Sequence, residues 1–572
     1  MATETETIAP KLSAVEGMKE QSRLLRGSIA LELVDAADHF NEANKNLLKF
    51  HGTYQQEDRD ARKNRSKEGV RKHHIFMVRC KIPGGRVTAA QYLAMDDIAG
   101  QYANGTLRFT SRQGIQLHGV LKENLKATIA SINTCLLTTL GACGDVERNV
   151  MACPAPLHDG LRAELQELAR ALANKLAPRS GAYHEIWLDG KTVESAPEAE
   201  PLYGSVYLPR KFKTGLALAN DNCVDIYAQD LGFLAAVEGG RIVGFNVLVG
   251  GGMGMTHGNA NTFPHLAEPI CYIEPGEVVA MAEAVIRLFR DHGNRADRKR
   301  ARIKYLVHDW GVERFRQVLA GYWEKPLQHP RPITVGAFET HVGWHEQGDG
   351  KWFYGLSVEN GRVKDQGTFR LRSAMRKLVE TLQPELRITP LQDVLFCNLD
   401  SSAKGFIEGV LSEYGIARPD QVSLVRKHSM ACPAIPTCGL AISESERSLP
   451  GLLDKLDAVL RDLGLEGETL GVRMTGCPNG CARPYQSEIG LVGRSGEKYT
   501  VFVGGSTLGD RLNFMLCDLV PIGQIVPTLE PVLRSFRDRR QPRETFGDFC
   551  HRQGLEALRA LLPAERLAGK GH

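Results

Sequence analysis

The chain has 572 residues, of which 42% are hydrophobic and 24% charged, and its formal net charge is +4. It is too long for one core and too nearly neutral for its overall charge to draw in nucleic acid or an anionic membrane. Any attraction for anions must come from local clusters of Arg and Lys. The opening residues are polar and acidic with no apolar stretch of the kind that directs export, and no run approaches the roughly 18 apolar residues needed to cross a bilayer. A cytoplasmic location is expected, with the 13 cysteines reduced and free for metal or redox chemistry.

Along the chain, alternating apolar residues predict strands near 74–82 and 106–118, with a helix near 89–101 between them. The stretch Leu107-Arg108-Phe109-Thr110-Ser111-Arg112-Gln113 returns as Leu386-Arg387-Ile388-Thr389-Pro390-Leu391-Gln392, a spacing of 279. Met151-Ala152-Cys153-Pro154-Ala155 returns as Met430-Ala431-Cys432-Pro433-Ala434 at the same spacing of 279. Two matches at one spacing argue for an ancient duplication. A looser echo links Asn246–Gly251 with Thr500–Gly505 at a spacing of 254, so the second half has lost residues in between. Each half then reads as a smaller α/β unit followed by a larger α+β unit. The basic segment Gly293–Tyr305 is helical in composition and is expected to begin the bridge between the halves. Duplicated halves usually join about a pseudo-twofold axis, and clefts between domains favour ligands.

The halves differ in their cysteines. Only the second carries Cys432-x5-Cys438 followed by Cys477-x3-Cys481. Four thiolates suit one cubane cluster, which takes one cysteine per iron. Pro433, Pro436 and Pro478 stiffen these loops, while Gly476 and Gly480 let the backbone wrap closely. Structural zinc also takes four cysteines, although its usual C-x2-4-C spacing is shorter than that of the first pair. Packing alone explains one buried pair better than two pairs in Pro/Gly loops. The run Val249–Gly254 lacks G-x-G-x-x-G spacing, and there is no Walker motif.

Thr475-Gly-Cys-Pro-Asn-Gly-Cys481 together with Cys432-x5-Cys438 resembles the sulfite/nitrite reductase haemoprotein family. So do Phe50–Gln56, Arg79–Gly85 and Tyr207–Lys213, and the likeness runs almost the whole chain. Within the family it resembles the haemoprotein subunit of bacterial NADPH-dependent enzymes. The resemblance implies an internally duplicated α+β fold whose small units are ferredoxin-like. Its expected divisions are an N-terminal extension over 1–65, small units over 66–138 and 326–410, and large units over 139–325 and 411–572.

It further implies a [4Fe–4S] cluster on Cys432, Cys438, Cys477 and Cys481, with Cys481 also bound to the iron of sirohaem. Arg108, Arg112, Gln116, His118, Arg210 and Asn479 match positions around the macrocycle, whose carboxylates suit bidentate guanidinium pairing. A solvated strand face is the plainer reading of Arg108 to His118 without the family match. Arg79, Arg148, Lys211 and Lys213 match the substrate pocket, where they would bind sulfite and supply protons for its six-electron reduction to sulfide in assimilatory sulfate reduction and cysteine biosynthesis. The alternative is reduction of nitrite to ammonia on the same cofactors; ferredoxin-type nitrite reductases tend to carry asparagine where this chain has Lys213. The glycine run Val249–Gly254, with His257-Gly258-Asn259 after it, is expected near the cofactor. No NADPH, FAD or FMN module is visible, so electrons are expected from a flavoprotein subunit or, failing that, a ferredoxin. Cys153, Cys223 and the other seven cysteines outside the quartet are expected to be packing residues.

Overall fold

The computed structural model describes residues 11–62, 72–183, 187–188, 191–192 and 200–563. Four five-stranded sheets carry the fold. The first small sheet runs in the order Thr53–Glu57, His74–Arg79, Ile115–Val120, Leu107–Phe109 and Arg362–Val363. The second runs Gly343–Glu346, Trp352–Leu356, Val394–Leu399, Glu385–Ile388 and Arg86–Val87. The last strand of each sheet is therefore borrowed from the other half. Arg362 pairs with Arg108, and Arg86 pairs with Arg387, all antiparallel.

This exchange follows from burial. The central strands of both small units are apolar and nearly inaccessible, and they merge into one core that includes Phe76, Leu117, Tyr354 and Phe396. Helix Ala89–Tyr102 covers that core, its start fixed by a capping box between Thr88 and Gln91. The strand Thr53–Glu57 falls within the stretch expected to be an N-terminal extension, but it is the edge strand of the first sheet. Tyr54 and Gln56 pair there with Met77 and Ile75, so one side of the strand's backbone is paired by the sheet.

The large units repeat one pattern. In the first, Met151–Ala152 and Thr214–Leu218 are parallel, as are Thr214–Leu218 and Leu231–Glu238, followed by antiparallel Arg241–Val249 and Glu268–Ile273. In the second, Met430–Ala431, Val472–Thr475, Ile489–Ser495, Lys498–Val503 and Phe514–Pro521 repeat both order and directions. Met151 opposes Gly215 and Met430 opposes Arg473. That register equates residue 215 with 473, and so Cys223 with Cys481 and Asp225 with Arg483. Asp225 and Arg483 both sit in the left-handed region, at φ 52° and 54°, each opening a short 3₁₀ turn. They also bond to each other across the pseudo-dyad.

The basic segment expected to be helical from Gly293 is mostly turn. Asn294 Oδ1 accepts from the amides of Ala296 and Asp297, which fixes the turn, and the helix spans Ile303–Leu319. No described helix is long and apolar enough to cross a membrane.

Candidate functional site

The four cysteines of the second half converge from two loops. Cys432 follows the edge strand Met430–Ala431, and Cys477 follows the neighbouring strand Val472–Thr475. Parallel pairing of those strands brings the loops side by side. The Cys432 amide donates to the Met474 carbonyl, and those of Ile442 and Ser443 donate to the Gly476 carbonyl. Backbone and amide donors face the sulfurs: Gly476 N lies 3.4 Å from Cys432 Sγ, and Asn479 Nδ2 lies 3.4 Å from Cys477 Sγ. Arg59 reaches across to the carbonyls of Cys438 and Ala441. Two cysteines from each of two adjoining loops suit a polynuclear cluster with one thiolate per iron.

Cys481 is the exposed member of the set and opens onto a cavity lined by Arg112, Lys213, Gln229, Met253, Asn479 and Arg483 among others. Asn479 and Cys481 come from the cluster loop. Met253 comes from the glycine run of the first half, whose Met255 amide donates to the Pro478 carbonyl at 2.9 Å. Gly480 is at φ 62°, and a Cβ there would stand 2.8 Å from the Met253 carbonyl oxygen, so the two halves meet too closely for a side chain.

Around this cavity the structure concentrates buried cations. Burial, and then Arg210, Arg302 and Arg148, push Lys211 down to about 7, while the nearby Cys481 sulfur pulls the other way. Lys213 is pushed well below the usual lysine range by burial, then by Arg302, Lys211 and Arg112. Burial likewise takes Arg112 down to about 9 and Arg210 to about 10. Arg302 is partly offset by Asp230, with Nε 2.8 Å from Oδ1. Arg148 donates twice to the Gly144 carbonyl, at 3.0 and 2.8 Å. Arg79 donates to Cys143 Sγ at 3.0 Å and, with the Gln116 amide turned oxygen-first, to that oxygen at 2.8 Å. Cations packed this way repel one another, a cost that a bound anion would offset.

Unpartnered atoms point the same way. His118 is 1% exposed with neither ring nitrogen hydrogen-bonded, and Arg112 Nε and Lys81 Nζ are also buried without a partner. The residues present therefore fit a polyanionic group beside Cys481. Arg112 already directs Nη1 to Gln229 at 2.7 Å and Nη2 to the Asn149 carbonyl, which holds its plane. Arg108 is placed differently. Its Nε meets Glu446 at 3.0 Å and its Nη2 the Ala431 carbonyl at 2.9 Å, so it braces the strand leading into Cys432.

Sequence reasoning missed Lys81, Arg302 and Lys304. Lys304 Nζ donates to the carbonyls of Gly252, Gly254 and Phe263, pinning the glycine run against the cavity. It is wholly buried, and burial takes it down to about 6. Its only sequence signal was the basic segment read as a bridge.

A duplicated α+β fold with a four-thiol group whose Cys481 opens onto a cation-lined cavity defines a redox protein built around a cluster and an anionic cofactor. Residues 168–327 match the family model described as the nitrite and sulphite reductase 4Fe-4S domain, and residues 69–134 match the nitrite/sulfite reductase ferredoxin-like half domain. The chain is similar to a sulfite reductase [NADPH] hemoprotein beta-component of Staphylococcus saprophyticus, at 44% identity over 97% of this chain and 98% of that one. It is equally similar, at 44% identity over 97% of this chain and 91% of the other, to a sulfite reductase [ferredoxin] of Synechococcus elongatus. Its fold is similar to that of the Mycobacterium tuberculosis NirA protein, with a TM-score of 0.77, 25% identity and coverage of 96% and 98% of the two chains. The chain belongs to the nitrite and sulfite reductase family. The match described as a 4Fe-4S domain falls on the first large unit, whereas the cysteine quartet lies in the second.

Proposed function

We propose that the protein reduces sulfite to sulfide with six electrons, using a [4Fe–4S] cluster on Cys432, Cys438, Cys477 and Cys481 and a sirohaem sharing Cys481. The observation that carries this reading is the set of buried cations gathered at Cys481. When bound, the two cofactors supply electrons to an iron that can hold the substrate. The protein's own residues do the rest. Arg112, Arg210 and Arg302 offer positive charge to macrocycle carboxylates, Lys304 holds the glycine run in place, and His118 and Gln116 offer neutral hydrogen bonds. Asn479 keeps the Cys477 thiolate oriented. Arg79, Arg148, Lys211 and Lys213 attract the oxyanion and stabilise charge that builds on its oxygens as they leave. Lys211, lowered to about 7, can hold a proton on Nζ or give it up at neutral pH.

The electron donor we favour is a flavoprotein partner that draws on NADPH, with a ferredoxin as the alternative; relatives named for each kind exist. A cytoplasmic site of action suits this chemistry. The test is side-by-side reduction of sulfite and nitrite by the purified protein with a reduced viologen dye, measuring sulfide and ammonia. A higher kcat/KM for sulfite supports the reading. A clear preference for nitrite would keep the cofactors and overturn the substrate.

A further inference from the structure

The first large unit holds a second, separate constellation. Cys153, Asp221, Cys223 and His341 present their ligand atoms within 4.8 Å of one another. Three of them are at most 1% exposed, and His341 is 6% exposed. Cys153 Sγ lies 2.9 Å from Asp221 Oδ2 and 3.6 Å from His341 Nε2, and His341 Nε2 lies 3.2 Å from Asp221 Oδ2.

Its place in the fold is informative. Cys153 occupies the position of Cys432 in the repeat, and the sheet register equates Cys223 with Cys481. Two of the four cluster positions thus persist as cysteine in the first half. The counterparts of the other two, Asp159 and Ala219, offer no comparable thiolate. Instead Asp221, from the loop between the retained strands, and His341, from the segment leading into the second half, complete a quartet.

The new donors are harder and shorter, and they draw the set in. These four ligand atoms close to single-ion span. Around a tetrahedral zinc the edges between ligand atoms are about 3.3–3.8 Å, from metal–sulfur and metal–nitrogen or oxygen bonds of about 2.3 and 2.0–2.1 Å. The 3.6 Å distance falls in that range, the 3.2 Å distance lies just below it, and the 2.9 Å contact must open by roughly half an ångström for an ion to enter. Charge is also compensated. Arg162, itself paired with Asp159, places Nη2 3.6 Å from Asp221 Oδ2, and a dication would offset most of the negative charge of two thiolates and a carboxylate.

We propose that Cys153, Asp221, Cys223 and His341 form a closed structural site for one zinc ion, occupying the place in the first half that the cluster occupies in the second. On binding, each thiol releases its proton to solvent and four protein ligands saturate the ion, so the site holds structure and does no catalysis. This replaces the packing role expected for Cys153 and Cys223.

The test is elemental analysis of the cofactor-loaded protein, purified after growth with added zinc and again after incubation with zinc chloride and dialysis. One zinc per chain is expected in the wild type. Cys223→Ser and His341→Ala should each lose that zinc with iron content unchanged. Zinc-edge X-ray absorption on the wild type gives an arm that needs no variant: two sulfur and two nitrogen or oxygen neighbours, at the bond lengths above. A wild type that retains no zinc after both treatments overturns the site and leaves a metal-free hydrogen-bonded quartet. So does zinc that survives both substitutions, or a coordination shell without sulfur.

Discussion

Lys211 is buried beside Arg148, Arg210 and Arg302, an arrangement that costs stability and is retained for what it attracts. Its pKa in the folded chain, about 7, lies below the ordinary 10.5, so the unfolded chain binds more protons between those values. Lys211 should therefore contribute up to roughly 5 kcal/mol to a rise in stability of the cofactor-free protein between about pH 7 and 10, with Lys213 and Lys304 adding in the same direction. Lys211→Met should remove its share of that rise in urea unfolding at pH 7 and 9.5. In the loaded protein the same change should lower kcat/KM for sulfite by about 100- to 1,000-fold, the usual effect of removing one preorganised donor. Cys481→Ser addresses the other side of the cavity. It should leave protein folded but impair cofactor retention or the coupling between the two cofactors, seen in absorption and electron paramagnetic resonance spectra; unchanged spectra and turnover would remove Cys481 from its shared role. The four cysteines were legible because their type and spacing are local, whereas Lys211 entered only through the family resemblance of Tyr207–Lys213. Lys81 and Lys304 were not legible, since a lone lysine carries no sign of burial.

Loops at strand ends set the cluster geometry, and Gly476 is the tightest point. A Cβ there would lie 2.4 Å from the Ser443 carbonyl oxygen and 2.6 Å from Ala434 Cβ. Gly476→Ala should force the loops apart, cost about 1–3 kcal/mol as overpacking does, and lower the iron content measured per chain. Gly467→Ala meets nothing within 4 Å and should match the wild type in both respects. The strands and the helix of the first small unit could be read from the periodicity of their apolar residues. The borrowed strands Arg86–Val87 and Arg362–Val363 could not, because a two-residue strand has no period of its own.

At the scale of the whole molecule, the halves are tied at several levels. Asp225 accepts from Arg473 at 2.8 Å and from Arg483, all three nearly inaccessible. Asp225→Asn would leave two guanidinium groups short of their counter-charge and should cost about 3–5 kcal/mol in chemical denaturation. The shared core of the small units makes a stronger statement. Fragments 1–325 and 326–572 each lack a strand and half a core, so neither should give a cooperative melt alone, while co-expression should yield a folded complex on size exclusion. Independent folding of either piece would contradict this. The duplication itself was visible in two repeats at one spacing, but the reciprocity was not, because sequence identity between repeats says nothing about which copy supplies an edge.

The same exchange imposes an order on synthesis. The first small sheet has four of its strands by Val120 but cannot close until Val363 has left the ribosome. At 5–20 residues per second that interval is roughly 10–50 s, during which an apolar sheet edge stays open on the nascent chain. Such a chain needs a holding chaperone at the exit tunnel, and faster translation of the intervening segment should raise its yield of soluble protein.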